Sequence, residues 1–199
     1  MSFEQQILNL TLISKECDMN YNAKATPVEG KNFPVVVGVE EYWVSRSVAL
    51  CALILVKGED DNWYVVAEKR GAGCPDENFK WCLPCGYIER NGETGEEGIS
   101  REVFEETGLK IKPESFHMTG VSYGIEPRYN ITHFYESVLE DMKVEDVINM
   151  FDTSNSEPEE IEELKCIRLD EVDKYEWAFD HRNLIEKSFI LPTIFKNHD

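Results

Sequence analysis

The first regular feature along the chain is an uninterrupted apolar run, SVALCALILV (47–56), closed on its far side by KGEDDN. A run without alternation predicts a central strand covered on both faces. NWYVVAEKR (62–70) alternates loosely just after that acidic turn and predicts the next strand. GAGCPDENFK reads as a loop, and WCLPCGYIE as a short extended piece broken by Pro84 and Gly86.

A helix with clear punctuation follows. Thr94-Gly95-Glu96-Glu97 forms a capping box, in which the Thr94 hydroxyl bonds the backbone three residues on and Glu97 reaches back. Ile99, Val103 and Phe104 supply apolar contacts, and Gly108 provides a left-handed stop, so the predicted helix runs from about 95 to 107. FHMTGVSYG, ITHFYESVL (131–139) and LKCIRL (164–169) predict further strands, the last preceded by the acidic loop DTSNSEPEEIEE. DEVDKYEWAFDHRNLIEKSFI predicts one or two closing helices. Strand groups with an internal and a terminal helix imply an α/β (α+β layered) domain with a mixed sheet. Residues 1–40 read as an N-terminal extension, with Phe3, Ile7, Leu8, Leu10 and Leu12 forming a short amphipathic helix; residues 41–199 read as the main domain.

Composition narrows the chemistry. A chain of 199 residues buries a core without staples. No apolar run is long enough to span a bilayer, and the first residues lack the basic start of a secretory signal, so neither a membrane nor an export role is expected. Six scattered cysteines then read as reduced thiols in cytoplasm. CLPC, Cys82 to Cys85, has no second CxxC beside it, and His117 and His133 stand alone. Ordinary residues of a strand and turn are expected there, rather than a zinc or redox motif. A net charge of −19 argues against nucleic acid as a partner. It still permits a phosphorylated small molecule, provided divalent cations lie between the two.

REVFEETGL (101–109) sharpens that condition. Acids near a helix C-terminus cost about 0.3–1 kcal/mol each, and Glu102 and Glu106 are a like-charged i,i+4 pair. At about 100° per residue Glu102, Glu105 and Glu106 share one stripe. Such a stripe is either a wet acidic face or a set of hard oxygen ligands suited to magnesium. The preceding CGYIERNGE, a glycine-punctuated turn leading to the capped helix start, favours the second reading, because backbone groups there can face a phosphate.

Gly86 to Leu109, GYIERNGETGEEGISREVFEETGL, resembles the Nudix box, G-x5-E-x7-R-E-U-x-E-E-x-G-U with U aliphatic. Glu93, Arg101, Glu102, Val103, Glu105, Glu106, Gly108 and Leu109 match at their mutual spacing. Gly86 precedes Glu93 by one residue too many, which is read as a one-residue insertion around Arg90-Asn91. With WCLPCGYIE, EEIEELKCIRLDEV and WAFDHRNLI, the resemblance extends over roughly 45 to 190.

The resemblance implies an α/β/α sandwich with a mixed sheet between helices. It also implies Mg-dependent hydrolysis (Mn2+ as a substitute) of a phosphoanhydride in a nucleoside diphosphate linked to another group. Glu102, Glu105 and Glu106 would bind the metal, assisted by the Gly86 backbone. Arg101 and Glu93 would form a partly buried pair holding loop to helix. Glu160 is the expected general base or extra ligand, with Glu159, Glu126 and Glu102 itself as alternatives. His181 is expected to pack or cap, and Tyr123, Tyr129 and Phe134 either stack a base or pack in the core. Among substrates the reading leans to ADP-ribose or a related dinucleotide, with nucleotide sugars and nucleoside triphosphates open. Pro127 lies 18 residues past Leu109, near the place where ADP-ribose-acting members carry a proline about fifteen residues beyond the box. The competing function is a non-catalytic nucleotide-binding sensor or regulatory module. A homodimer paired through residues 1–40 completes the expectations.

Overall fold

The apolar run near residue 50 forms the centre of a sheet, as its lack of alternation requires. A computed structural model describes residues 33–37, 40–44, 48–89, 92–123, 131–140, 142–188 and 190–191. Its strands are β1 (Phe33–Val37), β2 (Glu40–Val44), β3 (Ala49–Lys57), β4 (Trp63–Arg70), β5 (Trp81–Cys82), β6 (Cys85–Tyr87), β7 (His117–Tyr123), β8 (Ile131–Leu139) and β9 (Ile161–Arg168). The helices are α1 (Gly95–Thr107), α2 (Val144–Met150) and α3 (His181–Glu186), with 3-10 turns at Pro113–Ser115 and Leu169–Lys174.

Among the described residues β1 and β2 pair only with each other; the main sheet runs β5-β4-β3-β8-β7, with β6 also on β3 and β9 also on β4. β3 and β8 are parallel and the other pairs antiparallel, so the sheet is mixed as expected. One detail of register places the site. β3 and β4 pair only at Leu55–Lys57 with Trp63–Val65 and then diverge. The notch between them holds the chain from Cys82 to Tyr87: β5 pairs with β4, β6 pairs with β3, and Ala52 N donates to Pro84 O at 2.9 Å.

Both faces of β3 are covered. On one, Leu50, Ala52, Ile54 and Val56 pack with Val66, with Ile99 and Val103 of α1 and with Val147 of α2. On the other, Cys51, Leu53 and Leu55 pack with Val65 and Ala67 under Val172, Trp177 and Ile185. Each large aliphatic side chain so buried contributes roughly 1.5–3 kcal/mol, which makes this two-sided strand the anchor of the α/β/α layering.

α1 has the bounds its punctuation predicts. Thr94 Oγ1 accepts from Glu97 N at 3.2 Å, Thr94 N donates to Glu97 Oε2 at 2.7 Å, and Gly108 ends the helix at φ 79°. Elsewhere the structure corrects the sequence reading. The closing segment, expected as one or two helices, is a 3-10 turn and the six-residue α3. Trp177 interrupts it by bridging to Trp81 and donating its indole N–H to Val172 O at 2.8 Å, and Phe179 takes φ 53°, which no helix accommodates. β9 begins at Ile161, three residues before the expected start, because Ile161 and Glu163 pair with Arg70 and Lys69 across a register shift. Nothing in the pattern predicts α2, which buries Val147 alone. The amphipathic helix expected before residue 32 lies outside the described residues, and β1 and β2 straddle the expected boundary at residue 40. Among the described residues no helix is long and apolar enough to cross a membrane.

Candidate active site

The stripe of acids on α1 meets the chain that fills the β3–β4 notch. Cys85 N donates to Glu106 Oε2 at 2.9 Å and Tyr87 N donates to Glu102 Oε1 at 3.1 Å, so two backbone N–H groups orient two carboxylates. Gly86 lies between these donors. A Cβ there would overlap the Glu102 carboxylate, so only glycine lets the backbone come this close. Gly86 is the glycine that the sequence reading places in the box; Arg90 and Asn91, where that reading puts the extra residue, lie outside the described residues.

Arg101 ties the loop to the helix. Its Nε and Nη2 donate to Glu93 at 3.2 and 2.9 Å, and Nη2 also donates to Tyr87 O at 2.9 Å. Its Nη1 reaches Glu102 Oε1 at 2.8 Å and Glu105 Oε2 at 3.0 Å. Glu93, its side chain only 9 % exposed, also accepts from Glu89 N at 2.6 Å. Burial works against the Glu93 charge, but these bonds outweigh it and hold the carboxyl below its ordinary range. Burial likewise opposes charge on Arg101, and Glu93 with Glu102 more than restores it.

The other acids are crowded. Burial pushes the Glu102 carboxyl up to about 7 against the pull of Arg101, and Glu105 and Glu160 add to the rise. Glu106, 4 % exposed, is raised by burial and then by Glu68, Cys85, Glu102 and Glu160. Glu160 is therefore near enough to act on both helix acids. Its placement is backbone work: Gly71 N donates to Glu160 O at 2.6 Å and Gly73 N to Glu159 O at 2.8 Å. A Cβ on either glycine would overlap the carbonyls of the 158–159 turn. Glu159 is exposed at φ 62°. Glu126, Tyr129 and Pro127 lie outside the described residues.

Sequence reasoning missed Glu68. It lies on β4, 1 % exposed, on the same face as Val66, with its charge felt at Glu106. Cys82 Sγ donates to its Oε1 at 3.2 Å, while Oε2 has no partner. The available signal was period two: Val66, Glu68 and Arg70 of VVAEKR share one side of a strand whose neighbour is buried on both faces.

His181 is a packing residue. It is 6 % exposed; its Nδ1 accepts from Leu83 N at 3.0 Å and its Nε2 lies 3.6 Å from Cys51 Sγ. Burial, then Arg70, pulls its pKa down to about 3. Stability is thus complete above the ordinary value of 6.5 and falls as the unfolded chain takes up a proton that the folded chain refuses down to about 3. In urea titrations the wild type should lose about 2 kcal/mol relative to His181→Gln between pH 7 and pH 5. Parallel curves for the two proteins would refute this. Of the aromatic candidates, Tyr123 is 78 % exposed, whereas Phe134 packs partly buried on the second core.

Glu102, Glu105 and Glu106 each have one oxygen bonded to protein, leaving the other as a donor. Among the described residues no three such side chains are gathered tightly enough to hold an ion as they stand, and Arg101 Nη1 sits between Glu102 and Glu105. The donor set, hard oxygens beside a close-packed backbone, fits magnesium chemistry.

Fold and site together define a class: α/β/α sandwiches in which a strand-to-helix loop presents helix-borne carboxylates. The NUDIX domain model matches residues 46–188, and the chain belongs to the Nudix family. At the level of the family this supports hydrolysis of nucleotide-linked pyrophosphates, and Nudix hydrolases generally use divalent metals such as Mg2+.

Solved structures share the fold. The NUDIX domain of Shewanella oneidensis NrtR complexed with ADP ribose matches with a TM-score of 0.58 at 17 % identity, over 72 % of this chain and 86 % of that one. NrtR complexed with a 27mer DNA matches with a TM-score of 0.55 at 18 % identity, over 70 % and 58 %. A MutT/nudix family protein from Enterococcus faecalis matches with a TM-score of 0.59 at 18 % identity, over 97 % and 70 %.

Proposed function

We propose that this protein is a divalent-cation-dependent pyrophosphohydrolase acting on a nucleoside diphosphate linked to another group, with ADP-ribose or a related dinucleotide as the preferred substrate. The observation that carries the reading is the approach of Glu102 and Glu106 to the backbone on either side of Gly86, with Glu105 linked to Glu102 through Arg101 and Glu160 close enough to perturb Glu102 and Glu106. The ADP ribose in the NrtR NUDIX domain supports the substrate class. The net charge of −19 supports a small molecule over a polyanion.

Glu102, Glu105, Glu106, the Gly86 carbonyl and Glu160 would hold the cation. When bound it neutralises phosphate oxygens and acidifies water. The chain's own part is positional. Backbone N–H groups aim Glu102 and Glu106, while Arg101 and Glu93 keep the loop on the helix. Glu160 accepts the proton of the water that attacks phosphorus as the anhydride P–O bond breaks. Glu160→Gln should lower kcat about 10²- to 10³-fold with little change in KM. Unchanged turnover would transfer the base role to Glu102.

The DNA complex of NrtR favours one second reading, a nucleotide-binding regulator that does not turn its ligand over. Nucleoside monophosphate formation from ADP-ribose, NADH, diadenosine polyphosphates, nucleotide sugars and nucleoside triphosphates, with magnesium or manganese and with EDTA, separates the two. EDTA-sensitive turnover is expected. Tight binding without turnover of any of them would establish the regulator.

A further inference from the structure

We propose that Cys82 and Cys85 are an oxidation site, at which a peroxide joins the two thiols in a reversible disulfide beneath the acidic helix. The thiol chemistry stands alone; only its effect on turnover rests on the hydrolase reading.

The notch between β3 and β4 brings the two cysteines together. Cys82 ends β5 opposite Glu68 of β4, Cys85 opens β6 opposite Cys51 of β3, and only Leu83 and Pro84 separate the two in the chain that fills the notch. Two residues between cysteines is a spacing that disulfide exchange proteins use. Among the described cysteines Cys85 is the partly exposed residue, whereas Cys51, Cys74, Cys82 and Cys166 are buried. Other pairings are disfavoured. Cys51 Sγ is held by His181 Nε2 at 3.6 Å, and Cys74 Sγ donates to Glu160 O at 3.3 Å.

Cys85 sulfur attacks one peroxide oxygen, the O–O bond breaks, and Cys85 becomes a sulfenic acid with release of water or an alcohol. Cys82 sulfur then attacks Cys85 sulfur; the S–O bond breaks, and the departing hydroxide leaves as water with the Cys82 proton. The two thiols lose two electrons to the peroxide. A dithiol returns them and reopens the pair.

Glu68 makes the product reversible. In the reduced state Cys82 donates to Oε1 of this 1 %-exposed carboxyl, whose Oε2 already has no partner. The disulfide removes that donor and leaves both oxygens bare in the core, so the oxidised fold is the less favourable one. The ring also closes across Leu83-Pro84 onto Cys85, whose N–H aims Glu106. Oxidation therefore acts on the carboxylate geometry of the site.

The full-length protein, treated with hydrogen peroxide and unfolded under nonreducing conditions, should have lost two titratable thiols and yield a linked peptide joining Cys82 to Cys85. Turnover should fall at least tenfold and return with dithiothreitol. Reduced Cys82→Ser should turn over like wild type, and under peroxide plus dimedone it should carry the dimedone label on Cys85, which wild type escapes by closing the disulfide. An unchanged thiol count, a linkage through Cys51 or Cys74, equal dimedone labelling of both proteins, or full turnover by the disulfide form would overturn the proposal. If no substrate is turned over at all, the thiol count, linkage and labelling still decide it.

Discussion

Glu102→Gln is expected to abolish most turnover, about a thousandfold in kcat, while making the metal-free protein more stable. The two effects have one cause. The wild-type carboxyl is 14 % exposed, accepts from Tyr87 N and Arg101, and is pushed up to about 7 by burial first and by Glu105 and Glu160 after it. A group whose proton affinity rises on folding stabilises the fold below its unfolded value of 4.5 and loses that contribution as pH climbs to about 7. Glutamine keeps the accepting oxygen and removes the charge. The stability gap between variant and wild type should therefore be near zero at pH 4.5 and grow to roughly 1–3 kcal/mol above pH 7 in EDTA. Magnesium should narrow it by stabilising the wild type alone. Chemical denaturation across pH, with and without metal, reads both. A variant that is inactive and also destabilised at pH 8 would mean Glu102 serves the fold.

Arg101→Ala should have the largest effect on stability. The guanidinium, 22 % exposed, is bonded to Glu93, Glu102, Glu105 and the Tyr87 carbonyl. Removing one member of a largely buried ionic group leaves its partners desolvated and unpaired, at a cost of about 3 kcal/mol. Activity should fall with it, because the loop that carries the Tyr87 and Cys85 donors is then tied to α1 only through acids that repel each other. Arg101→Lys should recover less than half of the lost stability, since an ammonium cannot meet Glu93 with two parallel N–H groups and still reach Tyr87 O. Urea midpoints of the three proteins test this, and a wild-type midpoint in Arg101→Lys would show that charge alone suffices.

The two variants act on opposite sides of one design. Gly86 allows the backbone to approach α1, the N–H groups of Cys85 and Tyr87 aim the acids, and Arg101 restrains a cluster that would otherwise disperse. Acids held this way repel one another, and the proposed cation would relieve that repulsion.

The parts of this arrangement that were legible along the chain are those set by neighbours within a few residues. Thr94 and Glu97 satisfy each other's backbone, Gly108 turns left-handed, and Glu102, Glu105 and Glu106 follow one another at helical spacing, so α1 and its acidic stripe could be drawn with correct bounds. The continuous apolar run of β3 announced its two-sided burial in the same local way. Other features depend on segments far apart in the chain. The divergence of β3 from β4 sends Cys82 and Cys85 into the notch, the inward face of β4 buries Glu68 near Glu106, and the glycines at 71 and 73 seat Glu160 while Glu159 stays exposed. Short-range hydrogen bonds leave their pattern in consecutive residues. Strand register and side-chain burial are settled by which distant surfaces meet, and no window of sequence contains both.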